Sequence, residues 1–230
     1  MEDGTLQPCE SLRTIESLCQ PDVRNGYFSR FDRSTGHLGP ITADTHLADI
    51  ASFTLSAEVP EPIRIQFETA RNLYAYAWFV FRFYPVAEQH ALTSLEFALR
   101  ERLATEVARS GTKRPSGLKG WLTEARKRGA ISNDRFSWRT ERAMQRARNR
   151  AEFQLLEDMQ RLGLTEAVID HSNVQPIPAD FDENWIDVFI ETLPEIRNRY
   201  AHGSDALHNT VLRTFEIVRE LINQLFPPAS

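Results

Sequence analysis

The stretch PEPIRIQFETARNLYAYAWFVFRFY, residues 60–84, decides the fold class. Within it Ile63, Phe67, Ala70, Tyr74, Ala77, Phe81 and Tyr84 step by 4, 3, 4, 3, 4 and 3 residues. Those steps trace one face of an α-helix, whereas a half-buried strand would alternate every second residue. Leu73, Phe79 and Val80 widen the stripe, so the spacing predicts a helix over 61–84 buried on more than one side. Pro85 ends it and suits the first turn of the next helix.

On the C-terminal side, Leu92, Leu95, Leu99, Leu103 and Val107 extend the pattern to about Ala108, so 61–108 reads as an antiparallel helical hairpin. Ser110 to Gly117 reads as loop, and Leu118 to Lys127 as a short basic helix. Ser137 is placed to cap a long helix to about Leu162, with Met144, Ala147, Ala151, Leu155, Met159 and Leu162 as its stripe. Asp180 or Asp182 caps the next helix, where Trp185, Phe189, Leu193, Ile196 and Tyr200 share a face. Pro194 should kink that helix, and Thr192 with Glu195 has the capping-box spacing for a restart. Asp205 caps a last helix carrying Leu207, Val211, Phe215, Val218, Ile222 and Leu225, which Pro227 ends.

On the N-terminal side, Asp44 caps a helix to about Leu55, and residues 21–43 read as loop. No strand pattern stands out. The chain therefore reads as one all-α domain with an N-terminal extension (1–60), a first core hairpin (61–108), a basic helical insertion (109–180) and a second core hairpin (182–226).

Charge is unevenly spread. Residues 111–150 hold 12 Lys/Arg against 3 Asp/Glu, a net of +9, while the whole chain is at −5. The positive charge is nearly all Arg, whose planar fork of donors fits phosphate. Lys119, Trp121, Arg126, Lys127, Arg128, Trp138, Arg139, Arg142 and Arg146 are the candidate RNA-binding residues, with Phe136 among them. The alternative is a face neutralised by the chain's own acidic residues. Glu183, Asp187, Glu191 and Glu195 form an acidic stripe at four-residue steps, which suits a solvated face better than a metal site because no His or Cys stands near. No Cys/His zinc spacing, Walker-type loop or Ser nucleophile elbow is present, so no metal or cofactor is expected. No run approaches ~18 apolar residues, so no membrane span is expected. The first residues lack the apolar core of an export signal, and Cys9 and Cys19 read as free thiols, which together predict a cytoplasmic protein.

The seven residues RNRYAHG, Arg197 to Gly203, close one amphipathic segment and lead into the last one. An Arg, four intervening residues and then a His, with Asn198 after the Arg and Gly203 after the His, resembles the signature of HEPN domains. The resemblance implies a four-helix core with the motif at the end of its third helix. It implies a metal-independent endoribonuclease that leaves 2',3'-cyclic phosphate and 5'-hydroxyl ends, often a toxin or antiviral effector, and sometimes a partner to an antitoxin. Arg197 would hold the scissile phosphate, Asn198 would orient His202 or the RNA, and His202 would move the proton. Glu96 is the candidate for a further polar residue from the second core helix. Ser204 stands where one variant of the motif has Tyr, which puts regulation by nucleotide transfer to that Tyr in doubt.

The residues themselves fit this chemistry: His transfers protons near neutral pH, and Arg stabilises a phosphorane-like dianion. On an ideal helix Arg197 and His202 point about 140° apart, so they converge only at a distorted helix end or across a homodimer. The other readings are that Arg197 is an ion-pairing surface residue and His202 a charge at a helix C-terminus, with the fold serving as a non-catalytic scaffold or RNA-binding module.

Overall fold

The computed structural model describes residues 6–32, 36–201 and 208–228. Seven α-helices are described: α1 (Ala43–Ala51), α2 (Glu61–Tyr76), α3 (Phe83–Arg109), α4 (Gly117–Lys127), α5 (Arg139–Leu162), α6 (Trp185–Ala201) and α7 (Leu212–Leu225). No described helix is long and apolar enough to cross a membrane.

The centre is α3. It packs against α2, α4, α6 and α7, and α1 rests on α2. Its buried positions explain why: Leu92, Leu95, Leu99, Leu103 and Val107 form one apolar row, and Ala87, Ala91 and Ala98 keep other sides thin enough for neighbours to approach. Phe67 of α2 and Phe215 of α7 meet edge-to-face at 5.9 Å beside Tyr74.

All seven residues of the opening stripe are buried. The single helix expected over 61–84 is not found: α2 stops at Tyr76 and α3 starts at Phe83. The N-terminal segment supplies the reason. Trp78 O accepts from Asp22 N at 2.9 Å and from Asn25 Nδ2 at 2.7 Å. Phe79 O accepts from Arg13 Nη2 at 2.5 Å, and Phe81 N donates to Asp22 Oδ2 at 3.2 Å. Backbone groups freed by breaking the helix are therefore paired, and the turn costs little.

Residues 21–43 are not all loop. Ser29–Asp32 (β1) and His37–Pro40 (β2) form an antiparallel hairpin in which Phe31 faces Leu38. Phe31 and Leu38 are both exposed, so the hairpin has no buried face and leaves no alternating apolar pattern to read. Thr42, rather than Asp44, caps α1, through a reciprocal pair with Thr45.

Within the segment 109–180, α4 buries Leu118, Trp121, Leu122 and Ala125 and packs against both α3 and α6. Of the stripe expected on α5, Ala147 is buried, Met144, Ala151, Leu155 and Met159 are half-buried and Leu162 is exposed; Phe153 and Leu156, outside the stripe, are exposed as well. Ser137 does not cap α5. Its backbone N–H and hydroxyl both bond Glu220 of α7, at 3.0 and 2.7 Å, which ties the start of α5 to the core.

Candidate functional site

Asn184 starts α6, its Oδ1 facing Asp187 N at 3.4 Å, while Asn133 Oδ1 accepts from Ile186 N at 3.0 Å. Neither Asp180 nor Asp182 caps the helix. Asp180 instead bonds Ile177 N and pairs with Arg150 at 2.7 Å. Ile186, Phe189, Ile190 and Leu193 bury the inner face. Pro194 is buried inside α6 and cannot donate to the carbonyl one turn back. Even so, the helix runs unbroken from Trp185 to Ala201 with no restart at Thr192, whose hydroxyl donates to Val188 O at 2.9 Å.

The last turns of α6 aim side chains at two places on α3. Arg197 Nη2 lies 3.1 Å from Glu96 Oε2, with the Arg side chain 32% and the Glu side chain 14% exposed. The contact is an ion pair without hydrogen-bond alignment, since Glu96 Oε2 accepts no hydrogen bond among the described residues. The pair lies in a cleft of about 270 Å³ lined by Gln66, Thr93, Glu96, Phe97, Arg100 and Arg197, drawn from α2, α3 and α6. Of these, the resemblance points to Arg197 and Glu96, and Gln66, Thr93, Phe97 and Arg100 join them only in the fold. Their signal was present, because Thr93, Glu96, Phe97 and Arg100 share one side of α3 at helical spacing.

Nearer the end of α6, Tyr200 OH donates to Glu88 Oε2 at 2.9 Å, and Thr214 Oγ1 donates to Glu88 Oε1 at 2.5 Å. Glu88 is buried. The phenol also contacts His208 Nε2. Its one proton goes to Glu88, so the proton in that second contact belongs to His208 Nε2. Burial, then the Glu88 charge, pushes the Tyr200 phenol well above its ordinary value, so it stays a donor at physiological pH. Tyr200→Phe leaves one oxygen of a buried carboxylate short of its donor. The expected cost is about 1.5–3 kcal/mol, measured by urea unfolding. Asn198 is exposed. His202 lies outside the described residues, as do Gly203, Ser204, Asp205 and Leu207.

The candidate RNA-binding residues separate into three groups. Trp121 and Trp138 are 2% and 5% exposed, with Phe136 buried against Trp138 at 4.7 Å. These rings belong to the core and present no face to a base. Most of the cations are taken by the chain's own carboxylates. Lys119 pairs with Glu191 at 2.5 Å, Arg126 with Asp187, and Arg146 with Glu183. Arg128 pairs with Glu124 at 2.6 Å and Arg139 with Asp134 at 3.1 Å, and Arg139 also lies over the Phe181 ring. Three of the four carboxylates of the acidic stripe are thus spent on the basic segment. Lys127 and Arg142 are exposed and make no ion pair among the described residues. Among those residues no group of three or more His, Cys, Asp or Glu side chains could hold a metal ion.

No family model matches the chain, and no match is found among the curated proteins or the solved structures.

Proposed function

We propose that this chain is a metal-independent endoribonuclease of HEPN type, acting in the cytoplasm as a toxin or antiviral effector and liable to neutralisation by a cognate antitoxin. One observation supports the reading: Arg197, near the end of α6, lies against Glu96 of α3 in an open cleft. Glu96 takes the positioning role. It fixes one side of the guanidinium and leaves the remaining donors for a scissile phosphate. His202 removes the 2'-hydroxyl proton or protonates the leaving 5'-oxygen, and Arg197 offsets the charge that grows on phosphorus-bound oxygen. On an ideal helix the two residues would point about 140° apart, so the reading includes a homodimer in which the motifs of two copies form the site.

A second reading is a non-catalytic interaction scaffold. It is favoured by the exposed Phe153, Leu156 and Leu162 on α5, together with the internal neutralisation of most of the basic segment. Expression separates the two. The nuclease should inhibit growth, and His202→Ala should relieve the inhibition. Cleavage should persist in EDTA and leave 2',3'-cyclic phosphate ends. Equal growth with both forms would favour the scaffold.

A further inference from the structure

The cleft holds more than the motif arginine. Thr93, Glu96, Phe97 and Arg100 recur on α3 at i, i+3, i+4 and i+7, so they stack along one side of the helix. Arg197 enters from α6 and Gln66 from α2. Arg100 is exposed and makes no ion pair among the described residues, in contrast to most of the basic segment. Phe97 is half-buried: part of its ring packs on the core and part lines the cleft.

We propose that Arg100 is a second phosphate-binding residue of this site and that Phe97 is the floor for one nucleobase. This rests on the reading of the site as one that takes RNA. Two guanidiniums opening on one cleft, only one of them tied to a carboxylate, give a net positive site able to hold two phosphates of one strand. An aromatic ring beside them accepts any base, because every base has a π face. Gln66 and Thr93 border the same space with groups that can bond a base edge or a ribose hydroxyl. A cleft of about 270 Å³ has room for a base only after that base has left its stack.

The test uses the full chain carrying His202→Ala, so that the probe survives, and a fluorescein-labelled oligouridylate titrated at several salt concentrations. Arg100→Ala should weaken binding about five- to tenfold at low salt and reduce the slope of log K against log salt by about 0.7. Phe97→Leu should weaken binding about tenfold with little change in slope. Arg148→Ala, an exposed charge on α5, serves as a matched control and should change affinity less than about twofold. Equal affinity and slope for the parent and Arg100→Ala, or no binding by the parent, would overturn the proposal. Failure of the cleavage reading looks different. In that case RNA binding still depends on Arg100 and Phe97, but the protein with His202 intact cleaves nothing. Conversely, cleavage with no dependence on Arg100 leaves the nuclease standing and removes this subsite.

Discussion

Arg197→Ala is expected to reduce RNA cleavage about 10²–10³-fold, the usual cost of removing one donor aimed at developing charge. Stability should change by less than about 1 kcal/mol, because the Arg197–Glu96 pair is partly solvated and lacks hydrogen-bond alignment. A loss of activity at constant melting temperature therefore assigns the effect to chemistry rather than folding. The same variant tests the dimer. In a two-fold site that takes Arg from one copy and His from the other, mixing Arg197→Ala with His202→Ala protein rebuilds one site in each mixed dimer. About a quarter of parental activity should return after random exchange. No recovery, with a monomer by sedimentation and full parental activity, would require the two residues to converge within one chain.

Asp22→Ala should be the most destabilising of the substitutions considered, at about 3–5 kcal/mol, a drop of ~10 °C in melting temperature. Its side chain is fully buried, and it accepts from Arg24 Nε and Nη2, both at 2.8 Å, from Arg24 N at 3.1 Å and from Phe81 N at 3.2 Å. Arg24 also pairs with Glu10 at 2.6 Å, and Glu10 with Arg82. Removing the carboxylate leaves a guanidinium and two backbone donors short of partners at the α2–α3 turn. It also loosens the whole N-terminal segment, which can be followed by proteolysis of residues 6–28. Burial alone would raise the Asp22 carboxyl above its ordinary value of 3.8, but the Arg24 side chain and the two backbone N–H groups outweigh it and hold the carboxyl below that value. A carboxyl depressed in the folded state adds stability above about pH 4, and that stability is lost as pH falls through the lower folded value. The gap in unfolding free energy between parent and Asp22→Ala should therefore narrow in acid. A gap that stays constant from neutral pH to about pH 3 would sink this account.

The sequence by itself determined the helical class and the apolar rows that α2, α3 and α7 bury, though not every helix end nor the burial of Trp121, Phe136 and Trp138. The reason is local. An apolar spacing of three and four states which side of a helix must leave water, and the stripes of α2, α3 and α7 are buried as that rule requires. A resemblance rather than spacing put Glu96 forward beside Arg197, and the fold sets the two side chains 3.1 Å apart. What only the tertiary structure decided depends on residues far apart in the chain. The apolar steps run straight through the break at Tyr76, because turn residues face the same core as helix residues. The break is held by Asp22, Asn25 and Arg13, more than fifty residues upstream. The basic segment has the composition of an RNA-binding face, and only the fold sets Glu183, Asp187 and Glu191 opposite its cations. The cleft around Arg197 exists because α2, α3 and α6 meet there. Contacts between distant segments leave no periodic trace in either partner, so packing alone decides which charges are neutralised and which remain open to a ligand.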